Sequence, residues 1–146
     1  AFIVADGGFR EYSDIIKGLA LGSNFIMVGS SMNRSMEACG DTYFLNIKVN
    51  KDIATWLFKH NFKIYRKFRG MSTKEVQRKW GNKSIRSSEG IVTKQEITHT
   101  LDGWNRNLDD YLQSCMSYCS KFDLVSFIGN VKYTLITQNA YTRFKK

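Results

Sequence analysis

Proline is missing from all 146 residues, where average usage near ~5% would place about seven in a chain of this length. A loop-rich scaffold stiffened by proline is thereby excluded. Acidic residues are scarce, 13 Asp and Glu against 22 Lys and Arg, for a formal net charge of +9. Cysteine is confined to Cys39, Cys115 and Cys119. That odd number, with no metal-ligand partners at useful spacing, argues against a disulfide framework or a metal centre and suits a reducing, cytoplasmic setting. Imidazole comes only from His60 and His99, both distant in sequence from Cys115 and Cys119, so those two thiols read as core packing rather than as nucleophiles. No apolar stretch approaches the ~20 residues that a membrane helix needs, because Asp6, Asn24 and Lys132 interrupt the longest aliphatic pieces.

Hydrophobic residues make up 42% of the chain, enough to build a core within one domain spanning residues 1–146 and too many for a disordered tail. Much of the basic excess falls between Lys59 and Arg86, where Lys59, Lys63, Arg66, Lys67, Arg69, Lys74, Arg78, Lys79, Lys83 and Arg86 face a single Glu75. An anionic partner, phosphate-bearing molecules first, is one reading. A solvated basic face with no ligand is the other. Phe62, Tyr65, Phe68 and Trp80 interleave with those charges, a pattern that nucleic-acid surfaces share.

The N-terminal third is the most legible. Phe2 to Ala5 is a short apolar β-type run, followed by an Asp6-Gly7-Gly8 turn and a segment opened by Ser13, an N-cap type, with Ile15, Ile16, Leu19 and Ala20 on one helical face. Gly22 supplies the stop. Asn24 to Val28 reads as a second, buried strand that ends at Gly29-Ser30-Ser31 and leads into another helix. In such a βαβ unit, ligands sit beyond the carboxyl ends of the parallel strands, and small-residue turns bring backbone N–H groups up to a phosphate. Taken singly, each glycine would more simply make a tight turn.

Beyond these, Ser72-Thr73-Lys74-Glu75 has the form of a capping box opening a helix from Thr73 to Trp80. Residues 81–90 form a polar, glycine-bounded loop, either a mobile lid or a surface turn. Leu108, Tyr111, Leu112, Cys115, Tyr118 and Cys119 follow helical spacing, and Val131 to Thr137 alternates as a terminal strand would.

Taken together, five pieces in order resemble the IMP dehydrogenase and GMP reductase family. They are Ile3-Val4-Ala5-Asp6-Gly7-Gly8, then Asp14 to Gly22 with Met27-Val28-Gly29-Ser30, then Gly70-Met71-Ser72, then Arg86-Ser87-Ser88-Glu89-Gly90, and last Leu112 to Cys119. The resemblance implies an α/β fold: the C-terminal portion of a (β/α)8 TIM barrel, comprising its last two βα units, the flap, and a C-terminal helix and strand. It also implies site roles. Asp6 would accept hydrogen bonds from the ribose hydroxyls, Gly7-Gly8 and Gly29-Ser30 would cradle the 5′-phosphate, and Gly70, Met71 and Ser72 would meet the purine edge. Arg86, Ser87, Ser88, Glu89 and Gly90 would line the base site, with Glu89 as the catalytic group assisting proton transfer to departing ammonia. Met71, Arg86 and Ser114, Cys115, Met116 and Ser117, the last four acting from a neighbouring subunit, would help hold the dinucleotide.

The reaction implied is NADPH-dependent reductive deamination of GMP to IMP and ammonia, through a thioimidate on a cysteine. That cysteine and a potassium site fall, in the family, in a stretch that precedes the segment matched here. The reductase branch is favoured because only residues 73–88 separate the Gly-Met-Ser loop from Glu89-Gly90, with no Arg-Tyr pair among them. Ala5 and Arg69-Gly70 lie nearer the dehydrogenase wording, so oxidation of IMP to XMP with NAD is the alternative. A non-catalytic nucleotide- or nucleic-acid-binding remnant is a further one. A homotetramer follows by family, no membrane partner is expected, and nucleic acid is set aside. Two departures stand out: Gln113 replaces an arginine, and the stretch from Asp41 to Phe62, longer than the family's usual connection, reads as a helical elaboration on the surface without a function. Since a barrel takes ~200 residues, the chain is expected to be part of a longer enzyme or to pair with a separate N-terminal half. Expressed alone, it is expected to show no GMP reduction and to aggregate or fold poorly; a stable monomer turning over GMP would contradict this.

Overall fold

The structure, a computed structural model, describes residues 1–69, 74, 78, 80–81 and 92–144. The chain forms two compact units, Ala1–Met27 with Asp109–Lys146, and Val28–Leu108. Architecturally it is mixed α/β.

In the first unit, β1 (Val4–Asp6), α1 (Tyr12–Ala20) and β2 (Phe25–Met27) make the expected βαβ unit. The two strands pair in parallel, with Val4 opposite Phe25 and Asp6 opposite Met27. Ile15, Ile16 and Leu19 bury the inner face of α1. Gly18 lets the helix lie on β2: a Cβ there would sit 2.6 Å from Ile26 Cδ1 and 2.9 Å from Phe9 Cε1. Gly22 ends the helix with φ +110° and donates its N–H to Leu19 O at 2.9 Å. The start differs from expectation, since the N-cap is Glu11 and Ser13 lies within the first turn. Asp14 is responsible: its carboxylate reaches back to the N–H groups of Arg10 and Glu11, at 3.3 and 3.2 Å, and an ionised acceptor near a helix N-terminus outweighs a hydroxyl. Nor is β2 the buried strand that its sequence suggests. Phe25 and Met27 are 56% and 54% exposed, because β1 and β2 form a two-stranded sheet and Ile26 alone of the strand turns in toward α1.

The long helix α4 runs from Leu101 to Tyr118, starting seven residues before the apolar stripe that signals it. Thr100 and Glu37 set the start: the Thr100 hydroxyl accepts the N–H of Gly103 at 3.1 Å, and the Glu37 carboxylate accepts that of Leu101 at 2.8 Å. Of the stripe, Leu108, Leu112, Cys115 and Cys119 are half-buried, whereas Tyr111 and Tyr118 are exposed. A short α5 (Leu124–Phe127) is capped by Asp123, which accepts the Ser126 N–H at 2.7 Å. It buries Phe127 completely. Gly129 approaches Gly22 closely and donates to Leu19 O. The expected strand at 131–137 does not form; these residues are irregular and lead into α6 (Gln138–Phe144). A strand needs a ladder partner, and none is present among the described residues, so Tyr133, Leu135 and Ile136 stand in solvent.

The second unit opens with a single helical turn, α2 (Ser30–Asn33), followed by a four-stranded antiparallel sheet in the order β4-β3-β5-β6. Its strands are β3 (Thr42–Phe44), β4 (Ile47–Val49), β5 (Tyr65–Arg69) and β6 (Val92–Glu96). Leu45 and Asn46 join β3 to β4 with φ +47° and +67°, the signature of a type I′ hairpin turn. Lys94 Nζ donates to Asn46 Oδ1 at 2.8 Å, fixing the turn to β6. Between β4 and β5 lies α3 (Lys51–Lys59), capped by Asn50, whose side chain accepts the Ile53 N–H at 2.8 Å. The stretch from Asp41 to Phe62 is therefore a hairpin plus a helix, and it is no surface elaboration. Ala54 and Leu57 of α3 join Ile64 and Ile97 in the unit's core, with Met36, Phe44, Val49 and Phe58 packed around them.

Arg66, one of the charges that looked solvated in the sequence, is 2% exposed. Its guanidinium enters the loop after α2, donating Nη1 to Ser35 O at 2.5 Å and Nη2 to Met36 O at 3.1 Å and to Thr42 Oγ1 at 3.4 Å. Burial draws its pKa below the ordinary guanidinium value without discharging it. The same loop is tied from its other side: Met36 donates to His99 O and Thr98 to Arg34 O, at 2.9 and 3.0 Å. His99 Nε2 lies 3.1 Å from Ser31 O and its Nδ1 lies 2.9 Å from Thr98 Oγ1. Because a carbonyl only accepts, the proton of neutral His99 sits on Nε2 and the Thr98 hydroxyl donates to Nδ1.

Two outcomes follow from these anchors. Replacing Arg66 by Ala removes the guanidinium donors from the Ser35 and Met36 carbonyls and is expected to lower the unfolding free energy by about 2–4 kcal/mol in denaturant titration; R66K, with one compact ammonium for a fork, recovers only part. His99 has its pKa lowered, first by burial and then by Arg34, against opposing effects of the Ser31 carbonyl and Glu37. The unfolded chain then binds a proton that the folded one resists, so stability is complete above the unfolded value near ~6.5 and falls as pH drops from there toward the depressed folded pKa. H99N is expected to flatten that segment of the stability–pH curve, and an unchanged slope would refute the assignment.

Candidate nucleotide site

Asp6 closes β1 and is exposed. Gly7 and Gly8 follow it with φ +94° and +85°, a left-handed pair that β-substituted residues adopt only under strain. A Cβ at either would meet nothing within 4 Å, so the backbone conformation, rather than crowding inside the chain, is what asks for glycine. The open space over the turn leaves the backbone accessible to a ligand. Asp6 and Met27 are register partners, so both strands hand over to their turns at the same end of the ladder. That is the end where parallel α/β proteins bind ligands.

In the second unit, Gly29 is the N-cap of α2, exposed and with φ −123° and ψ −66°. A Cβ there also finds open space. Ser30 begins the helical turn and is half-buried. What makes this turn firm lies behind it. Ser31 is buried and its carbonyl takes His99 Nε2, Asn33 Nδ2 reaches Gln95 Oε1 at 3.2 Å, and Arg66 holds Ser35 and Met36. Beside Gly29 lies a cavity of about 380 Å³ whose walls include Asn33, Ser35, Glu37, Cys39 and Phe68. Arg66 and His99 are thus supporting residues that sequence reasoning missed. The only signal for Arg66 was its position in an alternating strand between Tyr65 and Lys67, and nothing in the sequence pairs His99 with Ser31.

Ser114, Cys115, Met116 and Ser117 lie in α4, with both serines exposed and Cys115 and Met116 half-buried. Cys115 borders a groove of about 470 Å³ with Tyr12, Lys17 and Tyr111, in which the two tyrosine rings lie 5.3 Å apart. Burial, with Cys119 beside it, pushes the Cys115 thiol up. A raised thiol stays protonated at neutral pH and is a poor nucleophile, in keeping with a packing role. Cys39 is exposed and free. Gly70, Met71, Ser72, Arg86, Ser87, Ser88, Glu89 and Gly90, and with them most of the capping-box helix and the polar loop, lie outside the described residues. Among the described residues no helix is long and apolar enough to cross a membrane.

The comparisons with known proteins agree with the sequence resemblance. The family model for the IMP dehydrogenase / GMP reductase domain matches residues 1–144. A GMP reductase of Staphylococcus aureus is 28% identical over 140 residues, and one of Helicobacter pylori 28% over 141 residues. A third, of Staphylococcus saprophyticus, is 29% identical over 140 residues. In each case the match covers 95% of this chain and 36% of the relative, so the chain spans about a third of the length of these proteins. Matched over nearly its whole length, the chain belongs to the IMP dehydrogenase / GMP reductase family.

Proposed function

We propose that this chain supplies the mononucleotide-binding portion of an oxidoreductase that converts GMP to IMP and ammonia at the expense of NADPH, and that it forms the C-terminal part of a (β/α)8 barrel. The observation that carries the reading is the Asp6-Gly7-Gly8 turn. A carboxylate at the carboxyl end of a parallel strand, followed by two glycines at positive φ, offers acceptors for two vicinal hydroxyls next to a backbone that a phosphate can approach. The relatives named as GMP reductases favour that branch over dehydrogenation of IMP.

In this reading Asp6 orients the ribose, while Gly7, Gly8, Gly29 and Ser30 serve the 5′-phosphate. The supports behind Ser31 and Ser35 keep the second turn rigid before ligand arrives, which limits the ordering cost of binding. Gly70, Met71 and Ser72 address the purine edge, and Arg86, Ser87, Ser88 and Gly90 shape the loop that carries Glu89. Glu89 handles the proton that leaves with ammonia. NADPH, when bound, supplies the hydride, held in part by Met71, Arg86 and Ser114 to Ser117 of a neighbouring subunit in a homotetramer. The attacking cysteine, and any potassium site, come from the part of the protein that these residues do not include.

In the protein that carries this chain, NADPH oxidation is expected to depend on GMP and to release one ammonia per turnover. D6A, losing a charged acceptor for ribose, is expected to raise KM for GMP roughly 10- to 100-fold, whereas D6N keeps part of that contact. NAD reduction dependent on IMP would instead establish the dehydrogenase branch, and a protein that turns over neither nucleotide would overturn the proposal.

A further inference from the structure

Sixteen residues that the nucleotide reading leaves idle, Lys48 to Lys63, carry an organised surface. Trp56 on α3 stacks on His60 with ring centroids 4.2 Å apart and lies nearly parallel to Phe62 at 6.1 Å. Phe44 meets Phe62 edge-on at 5.8 Å. Trp56 and Phe62 are not core, at 55% and 46% exposed. They are held in place nonetheless. His60 Nδ1 lies 2.8 Å from Trp56 O, and since that carbonyl only accepts, the imidazole donates and its plane is fixed beneath the indole.

Cations interleave with the rings. Lys59 precedes His60, Lys63 follows Phe62, and all four residues are exposed. On the adjoining face of α3, Lys51 and Lys59 border a cavity of about 490 Å³ that also takes in Thr55, Asn61 and Thr100. Acids offset only part of this charge: Asp41 is paired with Lys48 at 2.8 Å, while Glu37 of the same cavity, which accepts the Leu101 N–H, and Asp52 on the helix keep their negative charges against Lys51, Lys59 and Lys63. Over residues 28–108 there are 15 Lys and Arg against 7 Asp and Glu, so this unit holds +8 of the net +9.

We propose that the Trp56-His60-Phe62 face, with Lys51, Lys59 and Lys63, binds single-stranded nucleic acid. The chemistry is that of a base stacked on a pre-set aromatic platform while ammonium groups on both sides meet the phosphates. A helix or strand of another protein would want a continuous apolar face, and here a lysine interrupts the rings at each end. The resemblance to the family had set nucleic acid aside and given this stretch no role. The surface assigns one that is independent of GMP turnover.

The test uses the whole protein that carries this chain and a fluorescent single-stranded oligonucleotide of about 12 nucleotides, read by anisotropy at two salt concentrations. Affinity is expected to fall with salt at roughly −0.7 in log–log slope per phosphate contacted, and K51Q/K59Q to reduce that slope by roughly 1.4. W56A is expected to weaken binding about tenfold or more, and W56F to recover most of it. Because W56A could disturb α3, the unmodified chain carries a second readout: an oligonucleotide containing 5-iodouracil is expected to photocrosslink within residues 56–62. GMP at saturating concentration is expected not to compete. The proposal is overturned if the crosslink maps elsewhere, if GMP displaces the oligonucleotide, or if a polyphosphate binds as tightly and W56A leaves both unchanged. It is equally overturned if W56A alters self-association while leaving oligonucleotide binding intact.

Discussion

A buried guanidinium holds the second unit together. Arg66 is the second residue of β5, where its side chain faces inward, and from there it donates to the backbone of Ser35 and Met36 and to the hydroxyl of Thr42. A charge removed from water is tolerable only when hydrogen bonds replace its hydration. Arg66 meets that condition at Nη1 and Nη2, with carbonyl oxygens of a loop that has no regular structure of its own, while its buried Nε finds no partner among the described residues. The loop and the sheet therefore stabilise each other. Directly upstream of that loop lie α2 and the Gly29-Ser30 turn, so the position of a candidate phosphate contact depends on a residue with no contact to ligand.

The same logic explains which parts of the fold the sequence made legible. Where periodicity and turn chemistry agree locally, as in Ile15, Ile16, Leu19 and Gly22, the βαβ unit could be read directly. Long-range ties could not. The start of α4 rests on Glu37, 64 residues before Leu101, and the burial of Arg66 rests on carbonyls about thirty residues upstream. The hairpin at Leu45-Asn46 was missed because neither residue is the glycine that usually marks a type I′ turn. The strand expected at 131–137 failed for the complementary reason: alternation describes a surface that could pair, and it does not supply the partner.

At the candidate site, residue types outran geometry. Asp6, Gly7 and Gly8 stand out in the sequence as a carboxylate followed by a glycine pair, and both glycines take positive φ. Gly29 and Ser30 were equally visible, but the scaffold that steadies them, His99 against Ser31 and Asn33 against Gln95, is assembled from side chains more than sixty residues apart. Such pairs leave no trace in a single sequence. The basic excess divides along similar lines: Arg66 is an internal strut, Lys48 and Lys94 pin the hairpin, and Lys51, Lys59 and Lys63 around Trp56 are exposed.

The central claim, that these residues form a purine mononucleotide site, is tested most directly by amide-resolved NMR of the protein titrated with GMP, combined with phosphorus NMR of the nucleotide. The account predicts saturable shifts at the amides of Gly7, Gly8, Gly29 and Ser30 together with a shifted 5′-phosphate resonance. Saturable GMP binding that leaves all four of those amides unmoved would contradict it.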